Sequence, residues 1–290
     1  MKILMALEPF HQDQSSLKSL FKISKLLGGS KTRLETATVA QASNPSLSLA
    51  FDVPPTERFT KYPLKLVQRT LKESGLSAER SHIIESKYLS TTKNVDLFLG
   101  LAQDRGADMI SLFTHARQGY MRFVLGSFVE TMLHRSKISL LILSPKMRVT
   151  QKPKSILMAS DFGDSLKSDL KQAIRACQNL NSRLVVFHHS DAVDTWMAGH
   201  ATLAPNANNK EVEKTKTWIE STCQKAGVQV EIVVSTKFYS TSELIMAEAK
   251  KKKAGLIVVS AKTGPTVALM GGSITRQVVR GSEVPVLVLK

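Results

Sequence analysis

The tetrapeptide Ile-Leu-Met-Ala occurs at positions 3–6 and again at positions 156–159, and each copy opens one half of a chain of 290 residues. The ends of the halves match as well. Gly126-Ser127 precedes Leu140-Leu141-Ile142-Leu143 by the interval at which Gly272-Ser273 precedes Val286-Leu287-Val288-Leu289. Matched landmarks at both ends point to a duplication, which sets the domain count before any motif is read. Two domains are expected, over residues 1–148 and 152–290, with Ser144-Pro145 to Pro153-Lys154 as the linker. Each is close to the commonest domain size and can bury its own core.

The second half reads as five strands alternating with four helices. Ile156–Ser160 is a short apolar strand, followed by a polar turn from Asp161 to Ser165. A helix then carries Leu166, Leu170, Ile174 and Cys177 on one stripe. Further strands are expected at Arg183–His188, Val228–Ser235, Leu256–Ser260 and Val284–Leu289, with a helix over 211–225 that stops near Gly227. Ser240 and Glu243 have the spacing of a capping box, which satisfies two orphan amides at a helix start. The first half repeats the plan, with strands at Ile3–Leu7, Leu34–Val39, His82–Glu85, Met109–Phe113 and Ile138–Leu143. Short apolar strands alternating with amphipathic helices argue for an α/β fold, each domain a mostly parallel sheet with helices on both faces.

Composition narrows the class. The early residues hold one Lys and about five apolar residues before Glu8, too few for a signal-peptide core. No apolar run approaches the roughly 20 residues of a membrane span. Cys177 and Cys223 make neither a disulfide framework nor a zinc pattern. A protein of the reducing cytoplasm is expected. The formal charge of +16 is the unusual number, and it is shared, since 21 of the 40 Lys and Arg fall in residues 1–150. Such a field favours anionic partners. With 6% aromatic residues and no nucleic-acid module, a nucleic-acid partner is not expected. The run Lys250-Lys251-Lys252-Lys253 reads as a helix end, where cations complement the dipole.

In an open parallel sheet, ligands bind beyond the carboxyl ends of the strands. That edge gathers Glu8 or Asp161, the loop after the fourth strand, and the Gly-Ser pair opening the last helix. Gly272-Ser273-Ile274-Thr275 is the strongest group. A helix start presents unpaired amides, Gly permits close approach, and hydroxyls can bind phosphate oxygens. The plainer reading is that Ser273 only caps the helix. His188, His189, Asp191, Asp194 and His200 are dense in potential metal ligands but lack zinc spacing, so no metal is assigned. The segment from Ser190 to Val212 is long enough to lid a ligand. No phosphate loop, dinucleotide fingerprint or nucleophile elbow occurs, and no residue is assigned as catalytic.

Both halves resemble the universal stress protein family over nearly the whole chain. The matching residues are Ile156-Leu157-Met158-Ala159-Ser160-Asp161-Phe162, Gly255 to Ser260, Gly272-Ser273-Ile274-Thr275 and Val284-Pro285-Val286-Leu287-Val288 in the second half. The first half contributes Lys2 to Ala6, Ala107-Asp108-Met109-Ile110 and Gly126-Ser127. The resemblance implies tandem Rossmann-like domains of the adenine nucleotide alpha hydrolase type, pairing through their final strands as a homodimer of single domains would. Association of two such chains is left open.

Family members that bind ATP carry an Asp after the first strand and a Gly-x2-Gly-x9-Gly-Ser/Thr motif. Asp161 matches that Asp, and Glu8 replaces it in the first half. The first half reads Phe113-Thr114-His115-Ala116 where the paired glycines belong. The second reads Ser260-Ala261-Lys262-Thr263, with Gly264 one place late. The resemblance therefore implies ATP, with Mg, in the second domain alone. Asp161 would face the adenosine, and Gly264, Gly272, Ser273 and Thr275 the phosphates. Any catalysis would be weak ATP hydrolysis. A stress-response binding protein is expected, the alternatives being an interaction protein that binds no nucleotide or a carrier of an anionic or lipid-like ligand.

Overall fold

The computed structural model describes residues 1–7, 14–41, 61–114, 127–145, 147–190, 205–261 and 272–290. The first repeat supplies β1 (Lys2–Ala6), α1 (Gln14–Gly28), β2 (Arg33–Gln41), α2 (Lys61–Glu73), β3 (Arg80–Ser86), α3 (Thr91–Asp104), β4 (Met109–Phe113), α4 (Ser127–Arg135) and β5 (Ser139–Leu143). The second supplies β6 (Ser155–Ala159), α5 (Leu166–Leu180), β7 (Arg183–His189), α6 (Pro205–Lys225), β8 (Val230–Ser235), α7 (Thr241–Lys251), β9 (Leu256–Ser260), α8 (Gly272–Gly281) and β10 (Val286–Leu289). Each repeat thus yields five strands with flanking helices, the α/β plan the alternating pattern called for.

The chain divides into two compact units. One comprises Met1–Lys152 with Ala261–Val288 and Lys290, the other Pro153–Ser260 with Leu289. In the first unit the strand order is β3-β2-β1-β4-β5-β10. The pairs β1·β2, β1·β4, β2·β3 and β4·β5 are parallel. β10 joins β5 antiparallel, Val286 opposite Ile142 and Val288 opposite Leu140. In the second unit β9, β6, β7 and β8 follow one another in parallel. β4, β5, β6 and β9 are short apolar runs buried almost throughout, as strands covered on both faces must be. β8 has no fully buried residue, in keeping with its place at the end of the second unit's order.

The duplication is recorded in the backbone as well as in the sequence. Helices end on left-handed residues at matched places: Gly29 and Asn181 after α1 and α5, Gly75 and Gly227 after α2 and α6, Gly106 and Lys253 after α3 and α7. At the last pair the closing hydrogen bonds correspond. Ala107 N–H donates to Ala102 O at 2.9 Å, and Ala254 N–H to Ala249 O at 2.8 Å. Ser136 and Ser282 repeat another device. Their hydroxyls donate to the carbonyls of Ile138 and Val284, whose own N–H groups donate back. Ile138 and Val284 are held in those turns, which is why β5 and β10 begin at Ser139 and Val286 rather than where the apolar runs start. The third strand of the second repeat begins at Val230 for a like reason: Val228 N–H closes α6 on Cys223 O.

Candidate functional site

In the second unit the buried strand β6 runs out into a tight turn before α5. Phe162 N–H donates to Ser160 Oγ at 3.1 Å, and Gly163 N–H to Asp161 Oδ1 at 2.9 Å. The second bond makes an Asx turn, in which an Asp side chain takes the place of a backbone acceptor. A Cβ added at Gly163 would lie 3.0 Å from Asp161 Oδ1, so a residue without a side chain lets the carboxylate close over its own turn. Asp161 itself stays exposed at the strand end. Its position is thus set by local backbone chemistry.

Phe162 carries φ +58°, a left-handed conformation that costs a bulky residue roughly 1–2 kcal/mol. Its ring stacks on His188 with centroids 4.1 Å apart and planes 8° from parallel. His188 Nδ1 lies 3.0 Å from Ser160 O, a carbonyl, which places the proton of the neutral ring on Nδ1 and leaves Nε2 an acceptor. His189 turns the other way. Its Nε2 meets Lys237 O at 3.1 Å and its Nδ1 meets Thr241 Oγ1 at 2.9 Å, tying the end of β7 to the start of α7. Both ring nitrogens are therefore spent on structure. The sequence places His188 at the end of a strand among potential metal ligands, and gives no sign of the ring stack. A φ value has no signature in the residue type, and Phe162 showed only as a neighbour of Asp161.

Asp191, Asp194 and His200 lie outside the described residues, as do Glu8, Gly264 and Lys262. Among the described residues no group of three His, Cys, Asp or Glu could hold a metal ion. Nor is any helix among them long and apolar enough to cross a membrane.

Gly272, Ser273 and Thr275 fall in the first turn of α8, within the first unit. That turn holds no acidic side chain. The matching helix of the first repeat, α4, carries Glu130 in its first turn, ion-paired with Arg280 of α8. An acid there opposes an anion, whereas a first turn without one favours it. Thr275 is only 6% exposed, and Val129, its counterpart in α4, is fully buried. The position is thus packed in both copies, and only the second places a hydroxyl there. Phe113 is likewise buried at the end of β4, and Thr114 N–H beyond it donates to Leu143 O at 2.8 Å. Asp161 belongs to the second unit and the α8 residues to the first.

The model of the Universal stress protein family matches residues 1–144 and 152–290. No curated protein matches the chain. Among solved structures, a universal stress protein from Archaeoglobus fulgidus DSM 4304 matches with a TM-score of 0.68 at 18% identity, covering 100% of this chain and 98% of that one. A functionally unknown protein from Pseudomonas aeruginosa PAO1 matches at 0.62 and 18% identity, covering 100% and 92%. A universal stress protein from Archaeoglobus fulgidus in complex with dAMP matches at 0.37 and 20% identity, covering 48% of this chain and 100% of that one. The two full-length likenesses share the fold derived above. With both repeats matched by the family's model, the chain belongs to the universal stress protein family, as two such domains in tandem.

Proposed function

We propose that the second repeat binds an adenine nucleotide, and that the protein acts in the cytoplasm as a stress-response binding protein rather than as a metabolic enzyme. The observation that carries this reading is the contrast between the last helices of the two repeats. The first turn of α8, Gly272-Ser273-Ile274-Thr275, is free of acids, while that of α4 bears Glu130. Phosphate oxygens are favoured at the one and repelled at the other. Asp161, exposed at the end of β6 with one oxygen held by Gly163, offers an acceptor of the kind a ribose hydroxyl needs. Gly264 would complete the phosphate contacts. When bound with Mg, the nucleotide would bring the only phosphoryl chemistry in reach; the residues named bind and orient it.

A second reading, an interaction protein whose nucleotide sites have decayed, draws on the burial of Phe113 and of Thr275. The two separate cleanly. Native mass spectrometry of protein purified without added ligand, and thermal shift with millimolar Mg-ATP, should show a bound adenine nucleotide and a raised melting temperature. Asp161→Ala should remove both. No copurifying nucleotide and no shift in the unaltered protein would refute nucleotide binding and favour the second reading.

A further inference from the structure

The end of α7 carries more positive charge than its fold requires. Lys252 N–H donates to Glu248 O and Lys253 N–H to Lys250 O, and Ala254 N–H closes the terminus on Ala249 O. The corresponding end of α3 is closed by the same bonds, from Arg105 to Leu101, Gly106 to Gln103 and Ala107 to Ala102. There the residues are Gln103-Asp104-Arg105-Gly106, with no net charge; here they are four lysines. One cation at the penultimate place is what the two ends share. In the first repeat it is Arg105, bonded to Glu35. In the second it is Lys252, bonded to Glu231 and 3.8 Å from Glu248. Lys250, Lys251 and Lys253 are surplus to closing the helix.

Lys253 also occupies a left-handed position, φ +52°, where the first repeat has Gly106. A lysine held where glycine would fit without strain is an outlier of the kind that concentrates at functional sites. These cations have company on the same edge. Arg183, at the start of β7, donates from Nη2 to Lys252 O at 3.3 Å, and its own N–H bonds Lys154 O at the start of β6. Two carboxylates answer this group. Glu231 reaches Arg183 and Lys252, and Glu248 reaches Lys251 and Lys252. Among the described residues Lys154, Lys250 and Lys253 have no carboxylate partner, and all three are exposed.

We infer that this edge of the second unit docks the phosphodiester backbone of a nucleic acid, without reading its sequence. The cations stand in a row, because α7 leads into β9, and β9, β6 and β7 are adjacent strands spaced about 4.8 Å apart. A row suits a linear polyanion better than it suits the plane of a membrane. Lys154, Arg183 and Lys250 to Lys253 offer cations alone, so phosphate contact rather than base stacking or lipid insertion would supply the affinity. Lysine ammoniums are hydrated point charges suited to phosphate oxygens, and each phosphate neutralised releases counterions. This revises the expectation of no nucleic-acid partner, which rested on motifs and aromatic content. Backbone docking needs neither.

The test compares two variants of equal net charge in the full chain. One is Lys250→Gln with Lys251→Gln and Lys253→Gln; the other is Lys171→Gln with Lys210→Gln and Lys214→Gln, on α5 and α6. Binding of a fluorescent 20-base-pair duplex of arbitrary sequence is followed by anisotropy from 50 to 200 mM salt. The first variant should lose at least about tenfold in affinity at 50 mM salt and flatten the log–log salt slope by roughly 2 to 3, at about 0.9 per lost phosphate contact. The second should stay within about twofold of the unaltered protein. Circular dichroism establishes that both are folded. Equal loss in both variants would overturn the proposal in favour of diffuse net charge. Absence of duplex binding at 50 mM salt, with binding to phosphatidylserine vesicles, would overturn it in favour of a membrane surface.

Discussion

Glu35 sits on β2 with 2% of its surface exposed, and three basic side chains converge on it. Arg105 donates from Nε and Nη2 at 3.1 and 3.3 Å, His82 Nε2 lies 2.7 Å away, and Lys2 Nζ 3.8 Å. Burial pushes the carboxyl up, yet the hydrogen bonds and charges of Arg105 and His82 outweigh it and hold the group at about 2, against an ordinary 4.5. The folded value is below the unfolded one. Its stabilisation is therefore complete above about 4.5 and is lost as the pH falls towards 2. Glu35→Gln should cost about 3 kcal/mol at pH 7, because it leaves Arg105 part-buried without its counter-charge. Urea denaturation at pH 7 and pH 2.5 checks this; a penalty that persists undiminished at pH 2.5 would mean packing, not charge, is responsible. None of this was legible in the sequence. An acid amid Arg-Leu-Glu-Thr-Ala-Thr looks like a solvated strand position, and its partners lie 47 and 70 residues away.

Helix and strand cores were legible because burial imposes periods that single residues display. The stripe Leu166, Leu170, Ile174 and Cys177 is buried on α5, and of the two bonds of the capping box the structure shows one, Ser240 Oγ accepting from Glu243 N–H at 3.3 Å. Element ends were less legible, since Ser136 and Ser282 set them with side-chain bonds that the apolar pattern does not encode. The turn after β6 is the same case at the candidate site: Asp161 could be placed from the sequence, but the left-handed Phe162 depends on a ring from the next strand. Helix ends also yield a signed prediction. Lys253→Gly relieves a left-handed lysine and should stabilise the protein by about 1 kcal/mol, while Gly106→Ala at the matched place should destabilise it by a similar amount. Denaturant midpoints of the two variants should move in opposite directions. Movement in the same direction would show that the two helix ends are not equivalent.

At the scale of the molecule, the duplicated halves do not correspond to the compact units. The final helix and strand of the second repeat, through Val288, belong to the unit built on the first. Leu140, Leu141 and Ile142 of β5 pair with Val288, Leu287 and Val286 of β10, all nearly or fully buried. Arg280 of α8 meets Glu130 of α4 across the same unit. Pairing of the final strands was what the family resemblance implied, and it has a physical reason, since an exposed apolar edge invites association with other chains. It follows that residues 1–152 alone should carry an unpaired β5 edge. Such a fragment should elute in size-exclusion chromatography with light scattering as a dimer or larger species, edge strands being templates for strand addition. Adding a peptide of residues 261–290, which restores α8 and β10, should convert it to a one-to-one complex of lower mass. A fragment that is monomeric without the peptide, and as stable to urea with it as without, would mean that β10 merely lies beside β5 and does not protect it.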